Sequence, residues 1–149
     1  DDFDAARMDH TSDSVVRFIE AVIPSIEIVD HRYTDWAVGA LAVAADNAIH
    51  GWWIHGEPVT DWSDLNLGTT SVSVSMNGKP VTSGDGTNAL GHPLNVVAWL
   101  ANELPRFGLA LKAGDLITTG VVTDVFEAGP GDSVVADFDG MGSVELSFV

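Results

Sequence analysis

Between Ser71 and Ser75 serine and valine alternate without a break, Thr70 and Met76 flank the run, and Asn77-Gly78 follows at once. Alternation of period two makes a strand with one apolar and one polar face. Asn-Gly tolerates the two positive φ angles of a tight hairpin turn. The chain is therefore expected to return antiparallel over Lys79–Ser83. A sheet with one apolar face needs a second layer to cover it. The strongest helical signal, beginning at His92, can supply that layer. His92 or its neighbour caps it and Pro93 sits in its first turn. Leu94, Val97, Ala98, Ala101 and Leu104 then form one stripe, and Gly108 is a suitable terminator.

The rest of the chain supplies shorter signals. Thr11 or Ser12 can cap a helix carrying Val15, Val16, Ile19, Val22 and Ile23, which Pro24 ends. Residues 25–31 read as a strand with Glu27, Val29 and His31 on one face. Residues 38–50 suit a short helix or a tight buried segment, and Gly51–Gly56 a strand. Asp115–Thr119, Ser133–Phe138 and Ser143–Phe148 predict three more strands among Gly and Pro. One early helix, one long helix and mainly antiparallel strands indicate an α+β fold with a rolled sheet or barrel. Residues 1–11 read as an acidic leader or loop and 12–149 as a single domain. The chain does not begin with Met, and is read as a processed product or a piece of something longer.

Composition narrows the function. The 149 residues include 22 acidic and 6 basic ones, for a formal charge of −16. Phosphate backbones and anionic membrane surfaces call for Lys and Arg, so neither nucleic acid nor membrane is an expected partner. No cysteine is present, which removes disulfides, thiolate metal sites and a thiol nucleophile. Asp46, Asn47 and His50 interrupt the most apolar stretch before it reaches the length of a membrane span. The expected setting is cytoplasmic.

Several polar residues stand out against apolar surroundings. Glu27 lies in Ile26-Glu-Ile-Val29, directly after Pro24-Ser25. A carboxylate there either faces solvent, paired with an arginine such as Arg32, or is neutralised by a metal ion. Asp46-Asn47 is either a buried hydrogen-bonded pair or a turn or cap. His50 and His55 would point to opposite faces of a strand and read as ordinary polar residues at its ends. Ser83-Gly-Asp-Gly86 and Gly91-His92 lead into the long helix, but the glycine spacing fits neither a phosphate loop nor a dinucleotide fingerprint. A Ser-His-Asp triad built on Ser83 and His92 has no local nucleophile signature behind it. The five tryptophans are expected in the core or on a pocket wall.

Several segments, in matching order, resemble one family. They are Pro24–Arg32, Asp35-Trp36, Ala45–Ala48, Asn77-Gly78, Ser83-Gly84, Gly91–Ala101, Leu111–Gly120 and Gly140–Val144. Together they resemble the 2-hydroxypentadienoate (2-keto-4-pentenoate) hydratases and 4-oxalocrotonate decarboxylases of the fumarylacetoacetate hydrolase superfamily. The resemblance implies a mixed β-roll and a Mg²⁺ or Mn²⁺ site holding a small 2-oxo or 2-hydroxy-dienoic acid. It places Glu27 as a metal ligand and Ser83 as a pocket serine with a catalytic part. Asp46, Asn47, His92, Thr119 and Gly120 would approach the substrate. The family's upstream Glu-x-Glu metal pair has no equivalent here; Asp2-Phe3-Asp4 has the spacing but lies too near the first helix. The chain therefore resembles the carboxyl-terminal portion of such enzymes. The resemblance implies a homo-oligomer, or a partner chain that supplies the rest.

Overall fold

A computed structural model describes residues 8–149; the expectations for the acidic leader up to Arg7, including Asp2-Phe3-Asp4, lie outside the described residues. The Ser–Val run and its turn form as the alternation requires. β3 (Ser71–Met76) and β4 (Lys79–Asp85) pair antiparallel around Asn77 and Gly78, both at positive φ. β5 (Ser133–Phe138) lies on the other side of β3, and β6 (Gly142–Ser147) beyond it, giving a four-stranded antiparallel sheet in the order β4-β3-β5-β6. Asn77 also locks the hairpin to the turn before β5. Its Nδ2 donates to Asp132 Oδ1 at 2.7 Å, and Ser133 N donates to its Oδ1 at 3.0 Å. The Asn77 bond, with one from Gly129 N, holds the Asp132 carboxyl below its ordinary value.

A second sheet contains only β1 (Ser25–Val29) and β2 (His50–His55), again antiparallel. Helix α3 (Pro93–Glu103) starts at His92, whose Nδ1 accepts from Leu94 N at 3.1 Å. Its predicted stripe is the buried one: Leu94, Val97, Ala98 and Ala101 pack with Val15, Trp62, Leu67 and Leu111. A separate cluster of Val72, Val74, Val134 and Ala136 fills the inner face of the four-stranded sheet. Asn102 ties the start of the described chain to α3 by accepting from His10 N at 2.8 Å and donating to His10 O at 2.9 Å.

Three expectations are corrected. The first helix is shorter than its apolar spacing suggested. α1 covers Ser12–Val15, capped by Thr11, and passes through a 3-10 turn to Ile19, which is already extended. Val22 instead bridges Val59, and Pro24 favours that extended approach. Of the two readings of the small apolar segment, the short helix holds: α2 (Ala40–Ala45) lies on the surface with Leu41 largely in solvent. Asp115–Thr119 is not a strand. It runs irregularly, and the stretch after it is fastened to β4 and its sequel by side chains, Asn88 Nδ2 to Val122 O at 2.8 Å and Asp124 N to Thr82 Oγ1 at 3.2 Å. Of the tryptophans, Trp62 is core, whereas Trp36, Trp52 and Trp99 are largely exposed.

Candidate functional site

Glu27 is central to β1, and pairing decides what surrounds it. Its partner across the ladder is Trp53, and Ser25 precedes it on the same face. Simple alternation would turn His50 away from that face. The register slips between Ile28 and Val29, so that Val29 pairs with His50 and Gly51 is left over. This bulge returns His50 to the Glu27 side. The imidazole Nδ1 lies 2.8 Å from Glu27 Oε1. The expectation that His50 and His55 face opposite ways is thereby corrected: the bulge removes the parity on which it rested. Arg32, the partner considered for Glu27, instead pairs with Asp46 at 3.1 Å.

Glu27, Ser25 and Trp53 line an open cleft of about 740 Å³. Its other walls come from the stretch 18–23, from Pro93, Leu94 and Val97 of α3, and from the irregular segment 111–120. Thr119 and Gly120 are in that segment, with Gly120 at φ 103°, a conformation open to glycine. Polar groups among the lining residues include Glu20, Thr60, Thr70, Lys112 and Asp115. Gly86 reaches the wall from the turn after β4. Asp85 caps that turn through the Thr87 hydroxyl and amide, which hold its carboxyl below the usual range.

The expected site residues thus divide into two groups. Glu27, Thr119 and Gly120 share the cleft. Asp46, Asn47, His92 and Ser83 are not on its wall. Asp46 is buried, but its carboxylate is engaged by Arg32 Nη1 and by the Arg32 amide at 3.4 Å, so it is both a buried acceptor and the cap of α2. Asn47 sits beside it at φ 55°, exposed. His92 is occupied as the α3 cap. Ser83 pairs with Ser73 on the outer face of the sheet, whereas the adjacent Val72–Gly84 pair puts Val72 on the cleft side. Residues that sequence reasoning missed are Ser25, His50 and Lys112, whereas Trp53 is on the cleft wall as one of its two readings had it. The signal for His50 was the glycine that follows it, which marks a bulge inside a strand.

Glu27 is not entombed. Its side chain keeps 38% of its exposure. Oε1 accepts from His50, no hydrogen bond to Oε2 forms among the described residues, and Glu27 lines the cleft. A carboxylate with a free oxygen at a cleft wall is the donor type that a hard divalent cation selects. It is one ligand, and among the described residues no group of three His, Cys, Asp or Glu could hold a metal. Among them, too, no helix is long and apolar enough to cross a membrane.

Comparisons with known proteins identify the family. Residues 4–149 match the profile of the family described as fumarylacetoacetate (FAA) hydrolase C-terminal. The chain is 38% identical over 138 residues to a 2-hydroxyhexa-2,4-dienoate hydratase of Comamonas testosteroni, covering 93% of this chain and 52% of that protein. It is also 38% identical over 135 residues to a 4-oxalocrotonate decarboxylase of Pseudomonas putida, covering 91% of this chain and 51% of that one. The 4-oxalocrotonate decarboxylase from Pseudomonas putida G7, solved in complex with magnesium and adipate, superposes with a TM-score of 0.88 at 36% identity, over 93% of this chain and 52% of that one. The chain spans about half the length of the curated relatives it matches. An α+β domain of antiparallel sheets, one long helix and several short ones is common to it and these neighbours, and by the extent of the match the chain belongs to the fumarylacetoacetate hydrolase C-terminal family.

Proposed function

We propose that this chain is the carboxyl-terminal portion of a metal-dependent hydratase acting on 2-hydroxy-dienoic or 2-oxo-enoic acids. The observation that carries the reading is the meeting of Glu27 with Thr119 and Gly120 in one cleft, within a sequence 38% identical to a dienoate hydratase. Glu27 would hold Mg²⁺ or Mn²⁺, with the remaining ligands supplied from outside the described residues by an upstream segment or partner chain. Bound there, the cation supplies Lewis-acid polarisation to a 2-oxo acid. The chain's own residues do the rest. Trp53, Leu94 and Val97 give an apolar wall that limits water around the substrate tail. Thr119 and Gly120 line the cleft, where a hydroxyl and a backbone N–H would donate to a substrate carboxylate. Ser83, Asp46, Asn47 and His92 carry no part of this reading, because strand parity, an ion pair, surface exposure and a helix cap account for their positions. The β-roll expected from the resemblance belongs to the same proposal. Its support is the close approach of β2 to β6, where a Cβ on Gly56, the residue after β2, would lie 3.3 Å from the Val144 side chain.

Decarboxylation of a related 2-oxo acid is the second reading, favoured by the equal identity to a 4-oxalocrotonate decarboxylase. The test uses the chain in the assembly in which it purifies, with Mn²⁺ present. Loss of dienoate absorbance is followed with 2-hydroxypentadienoate, and CO₂ release with 4-oxalocrotonate. Turnover of the first that Glu27→Gln abolishes is the expected result. CO₂ release alone selects the second reading. Neither reaction, in an assembly that retains its fold, leaves a non-catalytic subunit and overturns both.

A further inference from the structure

We infer that His50 is the positioning residue of Glu27, and that the bulge at Gly51 is the device that brings it there; this rests on the reading of Glu27 as a metal ligand. The geometry is specific. His50 Nδ1–H donates to Glu27 Oε1 at 2.8 Å, which fixes the carboxylate's orientation and leaves Oε2 without a hydrogen-bond partner among the described residues. The two side chains are similarly exposed, 37% and 38%, so the pair sits at the open mouth of its sheet and not in the core. A glutamate left to itself there would sample several rotamers, and a ligand would have to order it. Nothing in strand alternation would bring His50 to this carboxylate. It arrives because the Ile28–Trp52 pair is followed by Val29–His50, with Gly51 bulged out. Glycine is required at that point: a Cβ on residue 51 would stand 2.8 Å from the Ile28 carbonyl oxygen and 3.2 Å from the Asp30 Cβ. The Asp30 amide, which donates to Ile49 O at 2.9 Å, pins the far side of the bulge. Partners that hold a ligating group from behind typically affect metal affinity about 10–100-fold.

The experiment measures Mn²⁺ affinity by electron paramagnetic resonance on the chain in its purified assembly, with no substrate. Four variants are compared: Glu27→Gln, His50→Ala, His50→Asn and Gly51→Ala. Urea unfolding of each reports folding separately. Glu27→Gln is expected to lose the site. His50→Ala should weaken Mn²⁺ about 10-fold or more. His50→Asn keeps an N–H donor near the position of Nδ1 and should recover most of the affinity. Gly51→Ala, with His50 intact, should resemble His50→Ala. A purely structural role for His50 would not be rescued by asparagine. If Glu27→Gln loses Mn²⁺ while folded His50→Ala and Gly51→Ala bind it as tightly as wild type, the positioning role is overturned and the metal reading stands. If wild type binds no Mn²⁺, or Glu27→Gln binds it equally well, the reading of Glu27 falls and this inference falls with it.

Discussion

Replacing Gly84 by alanine puts one methyl group where the fold has no room for it. A Cβ on Gly84 would lie 1.9 Å from the Val122 carbonyl oxygen, and the atom in the way is backbone, which cannot rotate aside. The φ of Gly84 is not positive, so the clash is steric and owes nothing to glycine's conformational range. Overpacking of this kind costs about 1–3 kcal/mol. Pushing residues 120–124 off β4 also endangers the Asn88–Val122 bond at 2.8 Å, worth about 1 kcal/mol. Alanine restricts the unfolded chain and returns about 0.4–1 kcal/mol. The net destabilisation is roughly 1–3 kcal/mol, and a domain of this size loses about 2–4 °C of Tm for each kcal/mol. Urea unfolding of Gly84→Ala should therefore show a lower midpoint at unchanged slope. Gly129→Ala is the control, since nothing lies within 4 Å of a Cβ there. The displaced segment begins at Gly120, next to Thr119, so any activity of the assembly should fall with it. Equal midpoints for the two variants would refute the claim that the 120–124 segment is packed directly on β4.

Two further outcomes can be measured on the same chain. Asp132→Asn removes a carboxylate whose folded value lies below the ordinary 3.8 because of Asn77 and Gly129. A depressed acid stabilises the fold above its unfolded value and ceases to as pH falls through the folded one. Thermal melts should thus separate wild type from the variant at neutral pH and converge below about pH 3.8, whereas a gap that persists undiminished in acid refutes this account. Arg32→Ala leaves the buried Asp46 carboxylate without its cation. Because the guanidinium is itself well exposed, the cost should be about 1–2 kcal/mol and not that of a fully buried pair; no change in urea midpoint would show that water serves Asp46 equally well.

What the sequence revealed followed the strength of its periodicities. The Ser–Val strand, the Asn77-Gly78 turn and the stripe of α3 each repeat one signal several times, and each formed where expected. The first helix did not, because Ile19, Val22 and Ile23 could satisfy a helical stripe equally well as an extended cleft wall, and Pro24 tips the balance. Asp115–Thr119 carries strand-forming residues but no ladder partner among the described residues, and a strand exists only as half of a pair. Glu27 was legible as a strand residue with a partner to find. Its partner was not, because one unpaired glycine reverses the facing of every residue beyond it.

That reversal bears on how close contacts are made in this fold. Gly51, Gly84 and Gly86 each lack the positive φ that usually justifies glycine, yet a Cβ on any of them would meet a backbone oxygen at 2.8, 1.9 and 1.9 Å respectively. The three oxygens belong to Ile28 beside Glu27, to Val122 just past Thr119-Gly120, and to Leu67 on the cleft wall. Each missing side chain therefore allows an element to approach a neighbour that helps to frame the cleft. Hydrophobic patterning sets the two sheets and α3, but it does not bring the β1 carboxylate, the 119–120 segment and the turn at Gly86 around one space. Absent methyl groups do that, and a residue defined by what it lacks leaves little trace in a pattern of apolar and polar side chains.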